Sequence, residues 1–501
     1  MITDIFDRLN IELDKVCAVL GYDPQNPLLF NTGLFLILFV FFIGIYRMLR
    51  RFKTVKMIFV ILFSLYFYYK SSAGYCFILL GVCISDYLLG IWMGNASKRW
   101  VRRIIVWLNV LMNVGMLVYF KYLNLLIDTF ANFTDTRFDV LDIVLPAGIS
   151  FFTFRSISYI VDIYRGVISP CRNFLDYTFF LTFFPPLLAG PVVRAKDMLP
   201  QIKANPIATR AMVSDGLFLV MAGLIKKVVV ADFISGNFVD RVFDNPALYS
   251  GIENIIAVYG FTIQLYCDFS GYSDMAIGIA LLLGFRFKDN FAAPFKAQSP
   301  TEFWHRWHIS LSTWLRDYVY IPMGGNRCSR FRVGFNNAAT MVIGGLWHGA
   351  SWMYVIWGAI HGGMLVIHKE LKRLFPRLPE HKKGTPWRMA ANMFLTFNLV
   401  AFTFMFFRAR SLEVVGDMAD QVVHNFHASV LPQFVEGYFL IVLAMLLGYF
   451  MHLSPKRWSD GAKDVYGRMP LIVQALILAI VIVLIIQVRQ SDIVPFIYLQ
   501  Y

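Results

Sequence analysis

Charge is the first shortage. Asp, Glu, Lys and Arg make up 16% of the 501 residues, against about 25% in soluble domains, which excludes a soluble globule. Cysteine is scarce as well. Cys17, Cys76, Cys83, Cys171, Cys267 and Cys328 are scattered without a CxxC pair, so the chain lacks the spacing of a disulfide framework or a structural zinc site. HExxH is missing too. Glu302, His305 and His308 compete for a zinc reading but do not have that spacing, and no metal is expected. Residues 1–26 carry Asp4, Asp7, Glu12 and Asp14 ahead of the first long apolar run at Pro27. No cleavable signal is therefore read there, and this segment is expected to stay on the mature protein. A repeat of the transporter kind is also lacking, which weakens a transporter or polymer-export reading.

What is abundant is apolar surface: 58% of residues are hydrophobic and the mean hydropathy is +0.58. A membrane span needs about 20 predominantly apolar residues. Runs of that kind lie near 27–45, 57–72, 74–94, 104–126, 141–161, 176–192, 216–234, 252–284, 338–367, 390–407, 434–452 and 470–488. The fold class expected is an all-α polytopic membrane protein of about 11 or 12 transmembrane or re-entrant helices. Ahead of them, Ile5, Leu9 and Leu13 recur at helical spacing and predict a short interfacial helix.

The net charge of +14 does not point to nucleic acid. Its Lys and Arg residues sit in short loops between apolar runs, notably 46–56 and 98–103, whereas Lys70–Gly74 between the same spans is nearly uncharged. Basic loops mark the cytoplasmic side, so the N-terminus is expected outside. The run at 176–192 is interrupted by Pro185, Pro186, Gly190 and Pro191. These free backbone groups that lipid cannot satisfy, so the segment must be buried in protein or line a wet cavity.

Two segments carry candidate chemistry. The stretch 299–326 reads as an amphipathic Trp-rich helix, with Ser299 as N-cap, Pro300 at the first helical position and Glu302 in the first turn. On that helix His305, His308 and Ser312 share one stripe. Further on, Gly344-Gly-Leu-Trp-His-Gly-Ala-Ser-Trp352 places His348 in an apolar run among glycines. An intramembrane histidine is a functional candidate by default, while the glycines serve equally for close helix packing. His361 reads as a helix-packing polar contact and His305 as a surface neighbour. Asp268 and Asp274 lie in an apolar run and require partners, with Arg155, Arg194 and Lys226 as candidates.

The pairing of Trp307-His-Ile-Ser310 with Gly345-Leu-Trp-His-Gly-Ala350 resembles the membrane-bound O-acyltransferase (MBOAT) family. Leu145–Phe154, Tyr159–Gly166, Phe184–Arg194, Gly223–Asp232, Gln264–Ala276 and the ending Pro495–Tyr501 resemble its alginate O-acetyltransferase (AlgI-like) branch. The resemblance covers about 145 to 408 and resumes at the C-terminus. It implies a single MBOAT membrane domain: an interfacial segment 1–26, spans over 27–140, a catalytic core over 141–408, and C-terminal spans with an aromatic tail over 409–501. It also implies helices around a central funnel or tunnel, and makes His348 the active-site histidine and His308 the second.

By the same resemblance the expected activity is transfer of an acyl group, acetyl above all, from a cytoplasmic thioester to an exported polysaccharide at the bacterial inner membrane. The donor is acetyl-coenzyme A or an acyl carrier protein, taken as substrate, and no bound cofactor is expected. A D-alanyl exporter of the DltB kind is the nearer alternative. Expected partners are membrane lipids and a periplasmic or surface acyltransferase of the AlgJ, AlgX or DltD kind, with no nucleic acid. Trp307, Trp347, Ser312 and Asp268 are expected at the substrate. Tyr498, in a tail that Pro495 separates from the last helix, resembles the tyrosine of small partner subunits in the D-alanyl system. That resemblance suggests an acyl relay.

Overall fold

A computed structural model describes residues 18–136, 138–139, 141–375 and 385–488, and all its regular structure is helical. The interfacial positions Ile5, Leu9 and Leu13 and the relay candidate Tyr498 lie outside the described residues. By packing, the chain divides into two units: residues 1–123, 140–189 and 193–207, and residues 124–139, 190–192 and 208–501.

The first unit holds α1 (Gly33–Met48), α2 (Lys53–Ser72), α3 (Cys76–Asn95), α4 (Arg99–Leu117), α5 (Ile149–Tyr164), α6 (Phe174–Thr182) and α7 (Ala195–Ala204). Thr32 starts α1 by accepting the Phe35 amide on its side chain. One face of α1 is buried through Phe35, Phe39 and Phe42, whose rings pack on Phe184. Its other face exposes Ile37, Val40 and Phe41, as a lipid-facing helix does. Polar side chains join the inner faces: Asp86 of α3 accepts from Asn109, Ser156 and Tyr177 at 2.7–2.8 Å. Such hydrogen bonds hold helices together where hydrophobic association gives no drive.

The proline-broken segment behaves as expected. Helix α6 stops at Thr182 and the chain runs on without regular structure, yet Phe183, Phe184, Leu187, Leu188 and Ala189 are buried. The Phe184 amide finds the Ser64 hydroxyl at 3.2 Å, which supplies a partner that lipid could not.

The second unit contains α8 (Arg210–Leu224), α9 (Gly251–Leu282), α10 (Pro300–Arg306), α11 (Ile309–Leu315), α12 (Arg330–His348), α13 (Trp352–Leu374), α14 (Pro386–Arg408), α15 (Leu412–His424), α16 (Phe439–Leu453) and α17 (Leu471–Val488). The 32-residue α9 begins on a Ser250–Glu253 capping box. It lies against α8 at backbone contact, because a Cβ on Gly216 would come within 2.7 Å of the Gly278 carbonyl and one on Gly223 within 2.5 Å of that of Gly271. From Leu224 the chain continues as a π-helix over Ile225–Asp232, a form that concentrates at functional sites.

Among the described residues, four helical stretches are long and apolar enough to cross a membrane: Gly33–Arg51, Lys53–Asn95, Arg99–Thr134 and Pro386–Arg408. Ala428–Gly437 with Phe439–Leu453, bent by 93°, makes a fifth if taken as one span. The protein is thus a multi-pass membrane protein, although fewer helices qualify as complete spans than the apolar runs suggested. Polarity and interruption account for the difference. The run at 252–284 carries Gln264, Asp268 and Asp274, that at 216–234 passes into the π-helix, and that at 338–367 is two helices separated at Gly349–Ser351.

Candidate active site

The site is built in the second unit, around the segment expected to be one amphipathic helix. Its start is as read: Ser299 accepts the Glu302 amide, Pro300 opens α10, and Glu302 pairs with Arg306 at 2.7 Å. The single helix is corrected. Trp307 has extended backbone and His308 a left-handed one, φ +40° and ψ +56°, so seven-residue α10 ends before the histidine and α11 begins after it, running on as a π-helix over Arg316–Tyr320. His305, His308 and Ser312 therefore share no stripe: His305 is exposed while His308 is buried.

A left-handed conformation costs a non-glycine residue on the order of 1–3 kcal/mol and persists only where its surroundings impose it. Asn290 imposes it here. Its backbone carbonyl accepts the Ile309 amide at 2.8 Å, and its side-chain Oδ1 accepts from the Ser310 amide at 3.2 Å, from the Ser310 hydroxyl at 2.8 Å and from His308 Nδ1 at 3.1 Å. The Ser310 backbone amide can only donate, which fixes the atom it meets as Oδ1, and the Asn290 amide Nδ2 donates to the Ser273 hydroxyl at 3.1 Å. His308 thus carries its proton on Nδ1, and Nε2 holds the lone pair. The ring is held edge-on by Phe269 at 4.6 Å. Both helices beside His308 are too short to cross a membrane. Burial alone pushes its pKa down to about 3, because an enclosed imidazole loses the solvation its charged form needs.

His348 is the last residue of α12. Trp347 contacts both histidines, its ring centroid 5.7 Å from His308 and 5.0 Å from His348. Trp357 and Phe407, each at 5.2 Å, pack edge-on against the His348 ring. The neighbouring glycines serve packing. A Cβ on Gly345 would lie 2.2 Å from the Tyr354 carbonyl and one on Gly349 2.1 Å from the Tyr354 ring, so α12 and α13 meet at backbone distance.

Beside this pair lies a cavity of about 690 Å³, whose wall includes Ala350, Ser351, Tyr354 and Phe407. His348 is not itself part of that wall; it reaches it through its edge-on contact with Phe407 at 5.2 Å. Other residues of the same lining are charged. Lys227, 1% exposed, bridges Asp232 at 2.8 Å and Asp268 at 2.5 Å, while Arg408 pairs with Asp240 at 2.6 Å and Arg410 with Asp244 at 3.1 Å.

Of the expected substrate residues, Asp268 lines the cavity and Trp347 joins the histidines. Trp307 and Ser312 do neither. Trp307 is core, packed on Phe291, Phe303 and Phe404, and the Ser312 hydroxyl donates to the Trp307 carbonyl at 3.1 Å. Asp274 takes Lys226 at 2.6 Å, as was open to it, but Asp268 takes Lys227, outside the candidates considered. Arg155 spends its guanidinium on the Phe180 carbonyl and ring. His361 is the packing contact expected, its Nε2 lying 2.9 Å from the Thr403 hydroxyl of α14.

The chain matches known proteins over the same region. Residues 170–407 match the model of the membrane-bound O-acyltransferase family. The chain is 40% identical over 406 residues to a Pseudomonas aeruginosa protein named "Probable alginate O-acetylase AlgI", covering 78% of this chain and 74% of that one. The chain belongs to the membrane-bound O-acyltransferase family. A peptidoglycan O-acetyltransferase of Helicobacter pylori is 35% identical over 417 residues, covering 77% of this chain and 78% of that one. A teichoic acid D-alanyltransferase of Streptococcus thermophilus is 31% identical over 288 residues, 52% of this chain and 67% of that one.

Within this O-acyltransferase, sequence reasoning missed Asn290 and three cavity carboxylates. Lys227 and Asp232 lie in the quoted motif 223–232, and their charge in an apolar run was the signal available. Asn290 gave none. It lies in an irregular connection between α9 and α10, and only the fold brings it under His308.

Proposed function

We propose that this O-acyltransferase takes an acetyl group from a cytoplasmic thioester, acetyl-coenzyme A or an acyl carrier protein, and transfers it to a hydroxyl of an exported polysaccharide at the bacterial inner membrane. The observation that carries the reading is the contact of Trp347 with both His308 and His348, the latter packed on Phe407 of a partly polar cavity. The named acetyl-transferring relatives, which match over three quarters of the chain, support the acetyl group. The D-alanyltransferase matches about half.

In this reading His348 is the general base. An acceptor hydroxyl gives its proton to the imidazole as its oxygen attacks the thioester carbonyl. The C–O bond forms, the C–S bond breaks, and the thiol leaves with the proton returned. Such base help is worth about 10² to 10⁴ in rate. His308 has a narrower role. With its proton on Nδ1 and its charged form disfavoured, Nε2 accepts hydrogen bonds, which suits orienting a protonated partner and not polarising the donor carbonyl.

Sidedness follows from charge. The start of α12 and the end of α13 carry Arg330, Arg332, Lys369, Lys372 and Arg373, and Arg330 pairs with Glu370 there. Basic ends face the cytoplasm. The cavity lies at the other ends of these helices, at 350–354, which assigns it to the acceptor side. A partner acyltransferase outside the membrane completes the transfer where the polymer cannot reach His348.

The test offers purified protein in lipid vesicles labelled acetyl-coenzyme A or acetylated carrier protein, with an oligosaccharide acceptor. A labelled ester that disappears in His348→Ala is the result expected. Label moved across the vesicle without ester formation would mean transport.

A further inference from the structure

The second unit has another opening, which shares no lining residue with the cavity beside the histidines. A groove of about 620 Å³ lies between α9, α14 and α16, lined almost wholly by apolar side chains such as Phe394, Phe397, Val442, Met445, Leu446 and Leu453. Its polar side chains, Tyr259, Asn398 and Tyr449, are spent on the chain itself. The Tyr259 hydroxyl donates to Asn398 Oδ1 at 2.6 Å, Asn398 Nδ2 to the Phe394 carbonyl at 2.8 Å, and the Tyr449 hydroxyl to the Tyr259 carbonyl at 2.8 Å. A sugar entering here would give up hydrogen bonds to water and regain few. A hydrocarbon chain has none to give up.

The groove is one leaflet deep. From Val442 to Leu453, α16 rises about 16 Å at the helical 1.5 Å per residue, close to half of a hydrocarbon core about 30 Å thick. Before α16 the chain bends by 93°, so that Ala428–Gly437 crosses its start, and Leu431, Phe434 and Val435 of that segment close the groove. A partner's spanning helix would need the full depth of the membrane, whereas a single acyl chain fits a half-depth groove with a blind end. On the open side Phe394, Leu446 and Leu453 are exposed.

The Leu453 end is basic. Next to Phe295 of the lining, Lys296 donates from Nζ to the Ser454 carbonyl at 2.8 Å, a neutral partner that leaves the ammonium charge in place. Exposed Lys456 and Arg457 follow, with Asp460 one turn on. Trp458, exposed and packed on Phe450 with ring centroids 6.1 Å apart, is the kind of side chain that settles at headgroup level. This end lies on the side of the basic end of α13, because Thr301 at the start of α10 meets His368 of α13 at 3.0 Å. Basic clusters on the cytoplasmic side attract anionic lipid headgroups.

We propose that the groove holds one acyl chain of an anionic glycerophospholipid of the cytoplasmic leaflet, with its phosphate at Lys296, Lys456 and Arg457. The site does not depend on the acyl-transfer reading.

The test places the full-length protein in phosphatidylcholine vesicles containing a small share of phosphatidylglycerol with a diazirine midway along one acyl chain, and reads the labelled peptides by mass spectrometry. Groove peptides of α14 and α16 are expected to take several-fold more label than the exposed face of α1. The same diazirine on phosphatidylcholine should label the groove about three- to tenfold less, and Lys296→Gln with Lys456→Gln should remove that difference between headgroups. Leu446→Trp, which fills the groove, should abolish its labelling, while Leu443→Trp, exposed on the same helix outside the lining, should retain it. Equal labelling of groove and α1, or equal labelling of the unsubstituted groove by the two headgroups, would overturn the proposal. So would a groove left bare while α1 is labelled, the result expected if another segment of this chain or a second copy fills it.

Discussion

His308 takes a backbone conformation that its side chain resists, and Asn290 holds it there with a backbone carbonyl and one side-chain oxygen. This makes Asn290 a positioning residue whose loss should mimic a displaced histidine. Asn290→Ala is expected to lower kcat about 10- to 100-fold with little change in KM, because small displacements of reacting groups cost that much. His348→Ala should remove about 10² to 10⁴ of rate, while His305→Ala and His361→Ala leave most activity. Equal losses at all the histidines would point to folding instead. The buried imidazole also predicts a pH signature. The folded pKa of His308 is about 3 against an unfolded value near 6.5, so between these values the unfolded chain binds the extra proton. The contribution to stability is present above pH 6.5 and is lost as pH falls toward 3. Thermal unfolding in detergent should show a steeper loss between pH 6.5 and 4 for the wild type than for His308→Asn, and identical slopes would contradict the assignment.

At the scale of elements, the second unit depends on helices approaching at backbone distance. The α12–α13 contact leaves no room at Gly345, where a Cβ would stand 2.2 Å from the Tyr354 carbonyl. Gly345→Val is therefore expected to destabilise by about 1–3 kcal/mol or more, read as lost monodisperse protein in size-exclusion chromatography. Gly363, with nothing within 4 Å of a built Cβ, is the control, and Gly363→Ala should behave as wild type. The difference between one predicted helix over 299–326 and the two short helices observed also belongs here. Apolar periodicity favours a continuous helix, but the Asn290 contacts supply partners for the amides after the break and outweigh local propensity.

For the whole molecule, topology is the property most open to test. Loops 46–56 and 98–103 should be cytoplasmic and the N-terminus outside, so cysteines placed in those loops should resist a membrane-impermeant maleimide in intact cells. Labelling from outside would reverse the expected orientation of these spans. The relay proposed for Tyr498 is tested by Tyr498→Phe, which keeps the ring and removes the hydroxyl. A phenol with a pKa near about 10 is both deprotonated and displaced more readily than a sugar hydroxyl. Loss of polymer acetylation in that variant, with Tyr501→Phe active, would single out Tyr498, whereas retained acetylation would leave an interfacial anchor.

The sequence by itself determined that this chain is helical and membrane-embedded, because composition and the length of apolar runs report the solvent a chain is made for. It also marked His308, His348 and Asp268, since polar groups in apolar runs are costly and stand out. It could not show that Trp307 packs in the core, that Asp268 belongs to Lys227, or that Asn290 accepts from His308 Nδ1. Those facts depend on contacts between residues distant along the chain, or on a backbone break that periodicity smooths over. Only the tertiary structure decided which charges pair with one another, because the partners in Lys227–Asp268 and Arg408–Asp240 lie far apart along the chain.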